Sequence, residues 1–206
     1  LDRTGEFRIL ENNKLLSIPS SEEDLNYSDF KLLGVDFIVM GSVAEEDISN
    51  MAVTYKVYSV KTESQIRTST VYGVPNKIRQ LSHYISDGIY EEITGLQGVA
   101  STRLLYVTEE RSKDRSLFKL IVADADGSNE QILLRSSEPI ISPSWSPDSK
   151  QVAYVSFETG MAKVFTQYIA TGKREIVLEN QFQISSPSWS PNGKYLSLTM
   201  YQDGNA

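Results

Sequence analysis

Cysteine is absent from all 206 residues. That excludes disulfides, thiolate metal sites and cysteine nucleophiles, and it leaves the redox compartment open. Histidine occurs once, at His83. A Ser-His-Asp triad would have to use it, and an ordinary zinc site would lack its second histidine. No apolar run approaches the ~20 residues that a helix needs to cross a bilayer. Positive charge is also short, with 20 Lys and Arg against 27 Asp and Glu and a net charge of −7. No basic cluster offsets this balance. Such a chain gains nothing from counterion release at phosphates, so neither nucleic acid nor an anionic membrane surface is an expected partner. The phosphate-binding, dinucleotide, zincin and nucleophile-elbow motifs are missing as well. The chain starts at Leu1 rather than Met, in what reads as the tail of a helix. The lack of a visible signal peptide therefore carries little weight.

What is present is a repeat. Ser142-Pro143-Ser144-Trp145-Ser146-Pro147-Asp148 returns as Ser186-Pro187-Ser188-Trp189-Ser190-Pro191-Asn192, with 44 residues from Trp145 to Trp189. A period of ~40–45 residues is that of a four-stranded propeller blade. Each copy runs through a polar turn into a β-rich stretch, 151–157 and 195–201. The first continues into strands expected at 163–169 and 174–178, around a tight turn at Thr171-Gly172. Val, Ile, Tyr, Phe and Thr dominate these stretches, as half-buried strands require. Residues 103–108, 118–123 and 130–134 repeat the outer three strands, with Asp126-Gly127 as a hairpin turn. This first unit lacks an inner SPxWSP strand of its own. Many propellers close by completing one blade from both chain ends, so the missing strand is expected from an SPxW-like segment downstream. Trp145 and Trp189 recur at equivalent positions and are read as packing between blades rather than stacking on a sugar. The prolines restrict the path into the inner strand, and Asp148 and Asn192 supply turn chemistry.

Residues 1–97 show no repeat and read as an α+β domain in which helices pack on a mixed sheet; residues 98–206 read as a partial propeller. A short helix is expected over 27–33, ended by Gly34. The run VDFIVMGSV, 35–43, reads as a buried strand. Residues 53–60 and 66–74 form an expected antiparallel pair. Pro75-Asn76 opens a helix whose Ile78, Leu81, Ile85, Ile89 and Ile93 fall on one face and should pack on the sheet. Gly95 ends it, and 96–102 is the expected linker.

Several acidic groups compete for attention. Asp124-Ala125-Asp126-Gly127-Ser128-Asn129 comes near a calcium loop but fails its spacing and lacks the final Glu, so a hairpin turn is the better reading. Glu22-Glu23-Asp24 and Glu45-Glu46-Asp47 read as solvated turns or helix starts. Glu91 and Glu92 are helical neighbours and do not face one another. Asn26-Tyr27-Ser28 fits a glycosylation sequon, a triplet common by chance. His83 lies off the apolar stripe, with no acid or nucleophile at a suggestive spacing. No catalytic residue, metal site or cofactor is assigned.

In its order of pieces the sequence resembles the TolB family, periplasmic components of the Tol–Pal envelope system. The carrying segments are VDFIVMGSV, YEEITGLQG, TRLLYV, VADADGSNEQ and ISPSWSPDSKQVAYVSFETG, and the resemblance covers essentially the whole chain. SPxWSPDG motifs alone occur in other propellers, including those of prolyl-oligopeptidase-like serine hydrolases; the passage from the α/β domain through ITGLQGVASTRLLYV is more specific. The resemblance implies a six-bladed propeller, of which about two blades lie here, and no catalysis. It implies periplasmic location and binding of the lipoprotein Pal. It also implies communication with TolA, contacts with outer-membrane proteins, support of outer-membrane integrity and cell division, and a role in colicin import. Pal binding in the family implies contacts at the start of each innermost strand: Glu138, Ile140 and Ser142, then Gln183, Ser185 and Ser186. Some members carry histidine where Gln183 stands. A propeller gating a hydrolase is the alternative, and a sugar-binding propeller a third.

Overall fold

Alternating β-branched and aromatic residues around Tyr55 build the first sheet. In the computed structural model, which describes residues 1–45, 50–179 and 183–202, the chain divides into two compact units, 1–101 and 102–206. The first unit holds β1 (Phe37–Glu45), β2 (Met51–Ser59) and β3 (Ser64–Gly73), paired antiparallel in that order. Because side chains alternate across a strand, β2 serves both faces. Tyr55 and Val57 meet Ile89 on one side, while Tyr58 and the following Val60 meet Phe30 and Ile38 on the other.

Two helices cover these faces. α1 (Tyr27–Leu32) is capped by Asn26, whose side-chain oxygen accepts from the Ser28 N–H at 3.2 Å. α2 (Ile78–Thr94) follows a 3₁₀ turn at Pro75–Lys77 and ends at Gly95, where φ is 72°. Leu81 and Ile89 are buried and Ile85 and Ile93 partly so, but Ile78 is exposed, so the expected stripe begins one turn late. Two further expectations are corrected. Leu1 leads into a single 3₁₀ turn, Asp2–Thr4, closed by Gly5 at φ 75°, and not the tail of an α-helix. β1 is a sheet edge, with Ile38 buried but Val39 and Val43 43% and 62% exposed. Among the described residues its apolar run has cover on the α1 side alone.

The second unit is all β. β4 (Arg103–Arg111), β5 (Ser116–Asp124) and β6 (Gln131–Ser136) form one antiparallel sheet. β7 (Ile140–Trp145), β8 (Gln151–Ser156), β9 (Lys163–Tyr168) and β10 (Arg174–Glu179) form a second, and β11 (Gln183–Trp189) with β12 (Leu196–Tyr201) a third. β4 and β5 pack against β7, and β11 against β7, β8 and β9. The middle sheet is therefore covered on both sides. Val152 and Tyr154 face the first sheet with Leu120 and Ile140, while Val155 and Val164 face Ile184 of the third. That is why 152–155 reads as an uninterrupted apolar run.

One polar network crosses this core. The buried Tyr154 hydroxyl donates to Gln167 Oε1 at 2.8 Å, and Gln167 Nε2 donates to the Leu133 carbonyl of β6 at 3.1 Å. Tyr154 also stacks on Phe165, whose ring carries the Arg174 guanidinium 4.2 Å from its centroid. Burial disfavours the phenolate and pushes the Tyr154 hydroxyl up to about 12. An unfolded tyrosine titrates near 10, so the folded state keeps a proton that the unfolded chain has lost. The resulting stability is complete below pH ~10 and is lost as pH rises to ~12, by about 2–3 kcal/mol. Urea unfolding between those pH values should accordingly fall more steeply for the native chain than for Tyr154→Phe.

Candidate functional site

The duplicated segments form the strands β7 and β11, each at one edge of its sheet, and both carry the same irregularity. Ile141 pairs with Val155 but Ser144 pairs with Ala153, which leaves one extra residue on β7. In β11, Ser185 pairs with Thr199 and Ser188 with Ser197, giving the same bulge. At its centre Ser142 has φ 51° and Ser186 φ 55°. These are left-handed conformations that serine adopts at a cost of roughly 1–3 kcal/mol. The strain recurs in both copies and re-aims the start of each strand.

The turns that follow are superimposable in their bonding. Ser146 N donates to the Gln151 carbonyl at 2.9 Å, as Ser190 N does to Tyr195 at 2.9 Å. The Ser146 hydroxyl donates to Asp148 Oδ1 at 2.7 Å, and that of Ser190 to Asn192 Oδ1 at 2.8 Å. The amides of Lys150 and Lys194 close on the same acceptors at 3.1 and 3.0 Å. Ser149 and Gly193 take the left-handed position at φ 57° and 68°. The Ser146 hydroxyl, followed by the Lys150 N–H, holds the Asp148 carboxyl below its usual range. Pro147 and Pro191 are exposed on these turns, while Pro143 is half-buried and Pro187 buried in the bulges.

The structure separates the expected contact residues. Glu138, Gln183 and Ser186 are exposed, and Ser142 and Ser185 half-buried, all at the start of β7 or β11. Ile140 is corrected: its side chain is 3% exposed and packs with Leu120 and Tyr154, so it supports the rim from beneath. The outward neighbour is Ile141, 37% exposed, which period-two alternation through the fully buried Ile184 of the other copy could have identified.

The tryptophans differ. Trp145 is half-buried, packs on the core formed by Leu120, Ile140, Val152 and Tyr154, and lies beneath Arg103, whose guanidinium carbon is 4.9 Å from the ring centroid. Arg103 Nη2 also donates to the Ser149 carbonyl at 2.9 Å. Among the described residues Trp189 has no such neighbour. It lines a cavity of about 360 Å³ with Ser146, Pro147, Asp148, Gln151, Pro191, Asn192 and Gly193. Its indole Nε1 is buried without a hydrogen-bond acceptor among the described residues.

Several of the remaining acidic groups have structural partners. At the end of β5, Asn129 Nδ2 donates to Asp124 Oδ2 at 2.6 Å and Ser128 N to Asp126 Oδ1 at 2.9 Å. The loop is longer than a two-residue hairpin, since β6 begins only at Gln131. Glu22 accepts from Lys56 and Tyr58, each at 3.2 Å, and Glu92 from Arg67 at 3.1 Å. Asp24 accepts from Ser20 and Ser21. Glu46, Asp47 and residues 203–206 lie outside the described residues. Among the described residues no three His, Cys, Asp or Glu side chains converge on one point.

Comparison with known proteins decides the family. The profile of the TolB beta propeller domain matches residues 90–206, and that of the TolB amino-terminal domain matches residues 1–66. The chain belongs to the TolB family. A Tol-Pal system protein TolB from Hahella chejuensis is 41% identical over 175 residues, covering 84% of this chain and 41% of that protein. The TolB of Pseudomonas aeruginosa is 39% identical over 176 residues, covering 85% and 40%. A crystal structure of TolB from Acinetobacter baumannii superposes with a TM-score of 0.86 at 32% identity, over 94% of this chain and 48% of that one. The chain thus spans about two fifths of the length of these curated TolB relatives. TolB membership accounts for the α/β unit followed by propeller-type sheets. Among the described residues no helix is long and apolar enough to cross a membrane.

Proposed function

We propose that the chain is part of a non-enzymatic periplasmic scaffold of the Tol–Pal system, whose propeller binds the lipoprotein Pal and whose amino-terminal domain, read as residues 1–97, communicates with TolA. Support comes from family membership and from relatives named as Tol-Pal system proteins. The observation that carries the docking surface is the pair of strained bulges. Backbone held in a costly conformation at equivalent points of two repeats is a mark of binding sites. Ser142 and Ser186 lie in the bulges, Gln183 and Ser185 lead into the second of them, Glu138 stands just before β7, and Ile141 offers an apolar contact.

The test is the affinity of the full-length protein for the soluble domain of Pal, by calorimetry. Glu138→Arg combined with Gln183→Ala should weaken binding by about tenfold or more, as loss of interface-centre contacts does. Neither side chain is buried, so the melting temperature should stay within a degree or two. Native affinity in the double variant would move the docking surface elsewhere.

A further inference from the structure

The same junction between repeats is built twice, and it is filled once. Backbone pairing defines the equivalence. Arg103 opposes Asp124 in the first sheet as Gln151 opposes Tyr168 in the second. The flanking bonds also match: Ala125 N donates to the Thr102 carbonyl at 3.0 Å, and Ile169 N to the Lys150 carbonyl at 3.0 Å. Gln151 is therefore the positional counterpart of Arg103. At the first junction the Arg103 guanidinium covers Trp145 and bonds the Ser149 carbonyl. At the second, the counterparts of Trp145 and Ser149 are Trp189 and Gly193, both lining the cavity of about 360 Å³. Gln151 is shorter and uncharged, and it leaves that volume open. The wall also contains the Asp148 carboxylate, one oxygen of which is used by the turn.

We propose that this cavity receives the guanidinium group of an arginine side chain from a protein partner, in the place that Arg103 occupies at the preceding junction. The chemistry is that seen at Trp145. An indole face attracts a planar cation, a turn carbonyl accepts from it, and Asp148 adds a charge-assisted bond that lysine could match only as a point charge. A volume of about 360 Å³ leaves ample room for an arginine side chain. The site does not rest on the proposed Pal surface. It lies past the far end of β7 and β11 from Glu138 and Gln183, so loss of one need not affect the other.

The experiment uses ¹⁵N-labelled full-length protein, with the Trp189 indole signal assigned by its absence in Trp189→Phe. N-acetyl-arginine amide should shift that signal saturably, and N-acetyl-lysine amide should bind at least about fivefold more weakly. Gln151→Arg should abolish the response by supplying an internal guanidinium. Asp148→Asn should weaken binding about tenfold, with the turn preserved, since Asn192 makes the same bonds in the next repeat. Arg103→Gln should render the Trp145 signal responsive. A Trp189 signal that does not saturate, an equal response to lysine, or an undiminished response in a folded Gln151→Arg protein would each overturn the assignment. Tighter binding of free arginine than of its capped amide would assign the cavity to an amino acid and overturn the partner reading.

Discussion

Replacing Tyr154 with alanine should destabilise the second unit by about 3–5 kcal/mol, the range for removing a large aromatic from a packed core. The site offers no route to collapse. Tyr154 is fully buried on β8, an inner strand of a four-stranded sheet covered on both faces. Its ring lies against Phe165, with centroids 5.8 Å apart, and losing it strips that face as well. Deletion of the hydroxyl leaves Gln167, itself 2% exposed, with an unpaired amide oxygen in the core. A buried acceptor without a donor adds roughly 1–3 kcal/mol. Tyr154→Phe separates the two effects: it keeps the ring and loses only the bond, and should cost about 1–2 kcal/mol. Chemical denaturation of both variants checks the ordering. Equal costs would mean that packing contributes little here and that the hydrogen-bond chain to Leu133 carries the stability.

The same region shows what a sequence can and cannot display. The repeat was legible because its signals are local. Ser, Pro, Trp and Asp at fixed offsets make a turn from bonds spanning at most five residues, so the turn is written wherever the letters recur. The buried run at 152–155 was legible for a similar reason, since continuous apolarity follows from cover on both faces. β1 shows the limit of that logic. Its letters match those of a strand buried on both sides, yet among the described residues only the α1 side covers it, and composition states a preference rather than which neighbour supplies it. Ile140 and Ile141 show a second limit. A site reading by segment names both, while the pleat sends one into the core and the other outward, and only register decides which. The left-handed serines had no signal in residue type, because glycine is the usual residue there. The cavity was illegible for another reason. It arises from comparing Arg103 with Gln151, whose equivalence is fixed by strand pairing and is offset from the tryptophan period by unequal loops.

Gly98→Ala should be the most damaging substitution outside the β core, although the sequence places Gly98 in the expected linker. A Cβ built on Gly98 would stand 2.5 Å from Asp87 Cα and 2.7 Å from Asp87 Cβ, well inside contact distance. Asp87 lies within the 17-residue helix α2, so its backbone cannot yield without disturbing the helix seat on Tyr55 and Val57. The segment after the helix must lift instead. Lifting breaks the two bonds by which the Asp87 carboxylate holds it, from Ala100 N at 2.6 Å and Ser101 N at 2.9 Å. Charge-assisted bonds of this kind are each worth about 1.5–3 kcal/mol, and solvent replaces part of what is lost, so a net cost of about 2–4 kcal/mol is expected. Asp87→Asn should cost about half as much, since it keeps the shape and one acceptor oxygen while losing the charge. Limited proteolysis should distinguish the two, with cleavage between residues 96 and 102 rising strongly in Gly98→Ala and modestly in Asp87→Asn. If Gly98→Ala resists protease as the native chain does, the close approach is relieved elsewhere and Asp87 is not what fixes residues 96–101 against α2. The expected result makes residues 96–101 an anchored extension of the first unit, in which glycine is required by proximity and the aspartate supplies the anchor.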